Sequence, residues 1–198
     1  AGMGIRSFNL ISAPGSGKTT LLERTLSALL ARGRKCAVVE GDQQTDLDAR
    51  RSATTGAPVH QIQTGRACHL DAHQVRHALD HLAPERGSLV FIENVGNLIC
   101  PTTYDLGEDF KVVVLSVTEG DDKPVKYPAI FSRAEVAVIS KADLLPHVPF
   151  DLAAVQAHIR SLNPTGTILV VSALTGEGIG GWTDLLRTRL AAKRRAGV

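Results

Sequence analysis

The chain has no apolar run approaching the roughly 18–20 residues of a membrane span, so no helical passage through a bilayer is expected. Neither sign of charge is in clear excess: Lys and Arg number 22 against 20 Asp and Glu, for a formal charge of +2. No stripe of Lys and Arg runs along a predicted face, which argues against a nucleic-acid partner. The one basic cluster, "AAKRR" (191–195), closes the last predicted helix, where cations suit the helix dipole. Cysteine is scarce and odd in number. Cys36, Cys68 and Cys100 lie far apart and build no disulfide framework, which points to a reducing, cytoplasmic setting. Signal peptide, internal repeat, low-complexity tract and linker are also absent from the sequence as it stands.

What remains is a chain of 198 residues, 43% hydrophobic and 21% charged, suited to one compact domain spanning 1–198. Short Val- and Ile-rich runs predict strands at 6–12, 35–40, 88–94, 110–117, 134–140 and 167–173. Their continuous apolarity is the pattern of strands buried on both faces. Helical patterns lie between them, at about 18–31, 70–82, 151–162 and 181–194. Strand and helix in alternation imply an α/β fold, a mostly parallel sheet flanked by helices on both faces.

Directly after the first strand comes "SAPGSGKTT" (12–20), the strand–loop–helix setting of a P-loop NTPase. Gly15, Ser16 and Gly17 allow backbone amides to turn toward phosphate oxygens. Lys18 adds a mobile charge for the β and γ phosphates. Thr19 offers a hydroxyl to Mg²⁺, with Thr20 beside it at the helix start. One departure stands out: Ser12 occupies the place of the motif's first glycine. Two acidic strand ends follow. Asp42, in "VVEGDQQTDLDARR", is positioned to hold Mg²⁺ or orient an attacking water, while Asp46 and Asp48 read as solvated loop charges. Glu93, in "LVFIENVGNL", ends a buried strand where P-loop NTPases contact their metal, usually with Asp, and the Gly96 amide could meet the γ-phosphate.

"ISKADLL" (139–145) reads the base. Lys141 lays its aliphatic stem on a purine, and Asp143 accepts from both N1–H and the 2-amino group, a donor pair only guanine offers. Ser172 and Ala173, in "VVSALTGEG", meet the base from the other side. Ser140 stands where most such GTPases have Asn, which predicts a weaker brace to the phosphate loop and reduced guanine affinity.

"QTGRACHLDAHQVRHAL" (63–79) gathers Cys68, His69, His73 and His77. It is either a helix with a histidine-rich polar face or a metal site. Adjacent Cys and His cannot by themselves close a tetrahedral site, and Ni²⁺ and Zn²⁺ both accept thiolate and imidazole. On one helical face, His69, His73 and His77 would stand at i, i+4 and i+8, close enough for a second ion. Cys36 reads as core; His60, His81 and His147 read as surface or loop.

Taken together, "SAPGSGKTTLLE", "EGDQQTDLDARR", "TGRACHLDAHQV", "ENVGNLICP", "SVTEGDDKPVKYP" and "SKADLL" closely resemble the HypB family of hydrogenase-maturation nickel-insertion GTPases, from about residue 5 to the last helix. The resemblance implies a SIMIBI-type GTPase that hydrolyses GTP to GDP and phosphate with Mg²⁺ and forms a homodimer on GTP binding. It also implies delivery of Ni²⁺, through a partner nickel chaperone, to a hydrogenase large subunit. It assigns the metal site to Cys68, His69 and Cys100, with Zn²⁺ able to use the same ligands. The family's N-terminal nickel-storage extension is not in this sequence. Lys123 or Lys126, in "TEGDDKPVKYPAIF", could reach phosphates across a dimer interface. The rival readings are a metallochaperone GTPase for urease or a cobalamin enzyme, a small-molecule kinase and a metal store.

Overall fold

The computed structural model describes residues 4–42, 47–65 and 67–196, with the side chains of Asp42 and of residues 192–196 outside that description. The elements run β1 (Arg6–Ser12), α1 (Lys18–Leu30), β2 (Cys36–Asp42), α2 (Leu47–Ala53), β3 (Val59–Gln63), α3 (Ala72–Leu82) and β4 (Leu89–Glu93). The second half follows with α4 (Cys100–Thr103), β5 (Phe110–Ser116), α5 (Lys123–Lys126), α6 (Pro128–Arg133), β6 (Val136–Ser140), α7 (Leu152–Leu162), β7 (Thr167–Val170) and α8 (Ile179–Ala196). Seven strands form one sheet in the order β3-β2-β4-β1-β5-β6-β7, and every pairing is parallel.

Alternate residues of each strand feed opposite layers. Phe8, Leu10, Cys36 and Val38 pack with Leu22, Leu26 and Leu29 of α1 and with Trp182, Leu186 and Leu190 of α8. Phe8 stacks on Phe91 and Phe110, which sit opposite it on the flanking strands, at centroid distances of 5.7 and 5.3 Å. The indole N–H of Trp182 donates to Thr25 Oγ1 at 2.8 Å and ties α8 to α1. On the other face Ile11, Val113 and Ile139 pack with Ile130 and Phe131 of α6 and Val155 and Ile159 of α7. Ala37, Val39 and Ile62 pack with Val75 and Ala78 of α3. This is the expected doubly covered parallel sheet, and each of the six predicted strands is present to within a few residues.

The seventh strand, β3, has no counterpart among the expected elements. Its sequence VHQIQ pairs only with β2 and buries only Ile62, so an edge position removes the apolar run by which inner strands are recognised. The histidine segment also differs from expectation. Asp71 caps α3 by accepting from the Gln74 amide at 2.8 Å, and Gln74 accepts from the Asp71 amide in return, so the helix starts at Ala72. His69 therefore lies before the helix and cannot share an i, i+4, i+8 face with His73 and His77.

Candidate functional site

The carboxyl ends of β1, β2 and β4 open on a cavity of about 580 Å³ beside the reversal of strand order, where doubly wound sheets bind ligands. The phosphate loop forms its floor. Gly15 and Gly17 adopt φ of 76° and 89°, values a side chain rarely permits, and they aim the loop's backbone around the cavity. Lys18 opens α1 and is buried, its ammonium donating to Ser12 Oγ at 2.9 Å. The serine that replaces the motif's first glycine thus holds the loop lysine in place.

Oxygen donors line one wall. Thr19 Oγ1 donates to Glu93 Oε1 at 2.8 Å. Carboxylate oxygens of Glu40, Asp48 and Glu93 all lie within 4.8 Å of one another. Glu40 and Glu93 are buried, and each has an Oε2 without a hydrogen-bond partner among the described residues. Burial, with the neighbouring Glu93 charge, pushes Glu40 up to about 10, and burial also raises Glu93. The pair therefore retains a proton at neutral pH in the absence of a cation. Hard oxygen donors with orphaned lone pairs are the donor set that suits Mg²⁺.

Two sequence readings change here. Asp48 is not a solvated loop charge: α2 carries it back over the cavity, within reach of Glu40 and Glu93. Glu40 went unremarked as a site residue because it closes an apolar run, yet it faces the same cluster. The Asp42 side chain and all of Asp46 lie outside the described residues. Arg51, one turn after Asp48, also lines the cavity and bonds Glu23 at 2.7 Å and Thr20 Oγ1 at 3.2 Å. Gly96 crosses the phosphate loop so closely that a Cβ would stand 3.2 Å from Pro14 backbone atoms.

The base-reading segment adjoins the loop. Lys141 holds a left-handed φ of 58°, uncommon for a residue with a side chain, and its ammonium donates to Gly15 O at 2.8 Å. Asp143 accepts from Ser172 Oγ at 2.5 Å, so the two base-reading turns are already joined, with Ala173 next in the chain. The brace expected to weaken at Ser140 is made by serine itself: its buried hydroxyl donates to Ser16 O at 2.7 Å and ties β6 to the phosphate loop.

Sulfur and nitrogen donors form a second cluster at the cavity rim. Ligand atoms of Cys68, His69 and Cys100 all lie within 4.8 Å of one another, and the three residues are half-buried. Cys68 Sγ is 3.6 Å from His69 Nδ1, and the His69 ring stacks on Tyr104 at 3.7 Å. The contact with the Cys100 thiol raises Cys68, so this sulfur exchanges a proton for any metal it takes. Cys100 begins α4, and Cys68 itself lines the nucleotide cavity. Three donors with one side open leave a fourth tetrahedral position for water or another ligand.

The loop after β4 joins the two clusters. Asn94, next to Glu93, accepts from the Leu70 amide at 3.3 Å, and Asn97 donates to the Cys68 carbonyl at 3.4 Å. Gly41 has no room for a Cβ, which would meet Leu70 at 2.8 Å, so the metal loop rests directly on the end of β2. His73 and His77 are not in this cluster. The His77 ring instead neighbours His60 of β3 and His81. Cys36 is buried in the core as expected, and burial pushes its thiol up to about 12. Among the described residues no helix is long and apolar enough to cross a membrane.

Residues 7–170 match the CobW/HypB/UreG nucleotide-binding domain family. The chain is 54% identical over 191 residues to the hydrogenase maturation factor HypB of Azotobacter vinelandii, covering 96% of this chain and 63% of that protein. It is 44% identical over 187 residues to the hydrogenase/urease maturation factor HypB of Helicobacter pylori, covering 92% and 76%. The crystal structure of Helicobacter pylori HypB in complex with nickel superposes with a TM-score of 0.89 at 38% identity, covering 96% of this chain and 89% of that one. The chain thus spans a little under two thirds of its Azotobacter relative and most of its Helicobacter relatives. With its nucleotide-binding domain matched over 7–170 and these relatives at 44–54% identity, the chain belongs to the HypB family.

Proposed function

We propose that this chain is a GTP-hydrolysing metallochaperone that binds Ni²⁺ at Cys68, His69 and Cys100 and delivers it during maturation of nickel-iron hydrogenase. The observation that carries the reading is the hydrogen-bonded loop 93–97, whose one end meets the phosphate loop and whose other end holds the Cys68 carbonyl. A change at the γ-phosphate displaces Gly96 against Pro14 and reaches the thiolates through Asn97.

In the hydrolysis step Lys18 and the loop amides hold the β and γ phosphates, and Asp42 or Glu93 orients the attacking water. Thr19, Glu93 and the adjoining carboxylates of Glu40 and Asp48 would hold Mg²⁺, directly or through water, and the ion would supply charge neutralisation to the phosphates. Asp143 selects guanine, with Ser172 holding its carboxylate and Lys141 covering the base; Ser140 keeps the phosphate loop in register.

Nickel is cargo. The open side of the Cys-His-Cys cluster receives its fourth donor from water, from a second copy of the chain on GTP binding, or from the nickel chaperone that accepts the ion. The exposed Ile99 and Val125 lie next to Cys100 and Lys126 in sequence and suit an apolar contact between protomers. Lys123 and Lys126 stand in the same segment, Lys126 paired with Asp122 and Lys123 lying 5.6 Å from the Tyr127 ring centroid. The relative named for both hydrogenase and urease supports a second destination for the same ion.

Phosphate release from GTP and light scattering in GDP and in a non-hydrolysable analogue test the reading together. GTP turnover and an analogue-dependent dimer, lost in Lys123→Ala or Lys126→Ala, are expected. ATP turnover with no preference for GTP, or a monomer in every nucleotide, would contradict it.

A further inference from the structure

Three histidines outside the nucleotide and thiolate sites come together where β3 meets α3. His60 and Ile62 alternate onto the same face of β3, and Ile62 packs against Val75 and Ala78 of α3. That packing brings His60 under His77 and His81, which are one turn apart on the helix. Ring centroids stand 4.3 Å apart for His77 and His81, 5.1 Å for His60 and His81, and 6.3 Å for His60 and His77. An imidazole nitrogen lies about 2 Å from a bound transition metal, so rings on one ion are held roughly 4–6 Å apart. Two of the three spacings fall in that range, and the His60–His77 spacing of 6.3 Å lies just outside it.

A second observation concerns tautomers. His81 Nδ1 lies 3.0 Å from the His77 carbonyl oxygen, which can only accept, so Nδ1 carries the proton and Nε2 keeps a free lone pair. A ring N–H donated to a backbone carbonyl is the support that metal-ligating histidines habitually have. Beside the trio runs a groove of about 410 Å³ lined by His60, Gln61, Ile62, His73, Gln74 and His77. It leaves an ion open to solvent and brings His73, one turn before His77, to the same opening. Asp80, the acidic residue between His77 and His81 in sequence, is engaged by Arg76 at 3.0 Å.

We infer that His60, His77 and His81 form a second, imidazole-only site for a divalent first-row metal such as Ni²⁺ or Zn²⁺, separate from the Cys68-His69-Cys100 cluster. Gathering the three nitrogens round one ion requires rotation of side chains that stand at the surface, between staggered rotamers. The ligands are neutral and nitrogen alone, so the site binds more weakly than the thiolate cluster and exchanges freely with solvent. It serves as a place of first capture rather than of storage. Its existence depends neither on nucleotide nor on the delivery function proposed above.

The test is Ni²⁺ and Zn²⁺ titration of the Cys68→Ser/Cys100→Ser chain by calorimetry without nucleotide, with circular dichroism to confirm the fold of each further variant. The inference expects about one ion per chain to remain. Binding should weaken at least tenfold in each of His60→Gln, His77→Gln and His81→Gln, and Co²⁺ absorption should lack a thiolate charge-transfer band. Loss of all metal binding with the two cysteines would overturn it. So would unchanged affinity in His60→Gln, which would reduce the site to an ordinary chelating pair one turn apart on a helix.

Discussion

The two donor clusters beside the phosphate loop differ in almost every physical property. Glu40 and Glu93 are buried oxygen donors, and without a cation they must keep a proton. Cys68, His69 and Cys100 are half-buried sulfur and nitrogen donors at the rim, open on one side. The first set suits a hard ion that remains with the nucleotide; the second suits a softer ion that must enter and leave. Burial separates the duties. In the proposed cycle an enclosed carboxylate pair would make charge neutralisation part of nucleotide binding, whereas the half-buried cysteines would leave a partner access to the cargo. The loop from Glu93 to Asn97 touches both, which gives the proposed coupling between them a physical route.

Removing one side should leave the other. The largest effect is expected from Lys18→Ala, which takes away the charge over the phosphates and should lower GTP turnover by roughly 10²–10³-fold. Its Ni²⁺ affinity, measured without nucleotide, should be unchanged; loss of metal binding there would mean that the clusters are not separable. Cys68→Ala or Cys100→Ala should weaken Ni²⁺ binding by at least about 100-fold, since losing a ligand exceeds the 10–100-fold cost of losing a ligand's support. GTP turnover in the same variants, followed by phosphate release, should stay within a few-fold of the parent chain.

A smaller effect is expected at the joint. Asn97→Ala removes the bond to the Cys68 carbonyl while leaving every ligand in place. Coupling between sites is typically about 1–3 kcal/mol, so the nucleotide dependence of Ni²⁺ affinity should shrink within a range of roughly 5–150-fold. Unaltered dependence would show that the signal travels another way. A further effect, on stability rather than on function, concerns pH. The folded chain holds the Glu40 proton up to about 10, while the unfolded chain releases it in the ordinary carboxylate range. Glu40's contribution to stability is therefore complete at low pH and is lost as pH rises between those values. Without nucleotide or divalent cation, Glu40→Gln should gain in Tm relative to the parent as pH rises from about 5.5 to about 8.5. One proton over three pH units is about 4 kcal/mol, or roughly 8–16 °C at 2–4 °C per kcal/mol for a chain of this length. A constant difference across that range would remove the shared-proton account.

Most of the sheet and the phosphate loop could be read from the sequence because local chemistry dictates them. Inner strands must be apolar on both faces, and Gly15, Gly17 and Lys18 have few alternatives at their spacing. Three features escaped because distant residues decide them. β3 is polar, since an edge strand has one neighbour and water on its other side. Asp48 reads as solvated in the sequence until α2 turns it over the cavity, and Glu40 carries no local signal before β4 brings Glu93 beside it. Ser140 taught the reverse. In place of Asn it predicted a weaker brace, but β6 brings its hydroxyl to 2.7 Å from Ser16 O, a closeness no local pattern reveals. The histidines divided for a similar reason. His69 joined the thiolates because Asp71 starts the helix after it, and His77 turned toward a strand that had not been foreseen.

The most direct test of the account is Ni²⁺ affinity by competition titration, first with GDP bound and then with a non-hydrolysable GTP analogue, using Cys68→Ala as the control. The account predicts that affinity or stoichiometry at the Cys-His-Cys cluster changes between the two nucleotides and that the nucleotide-sensitive part disappears in the variant. Nickel binding that ignores both the nucleotide and the substitution would contradict it.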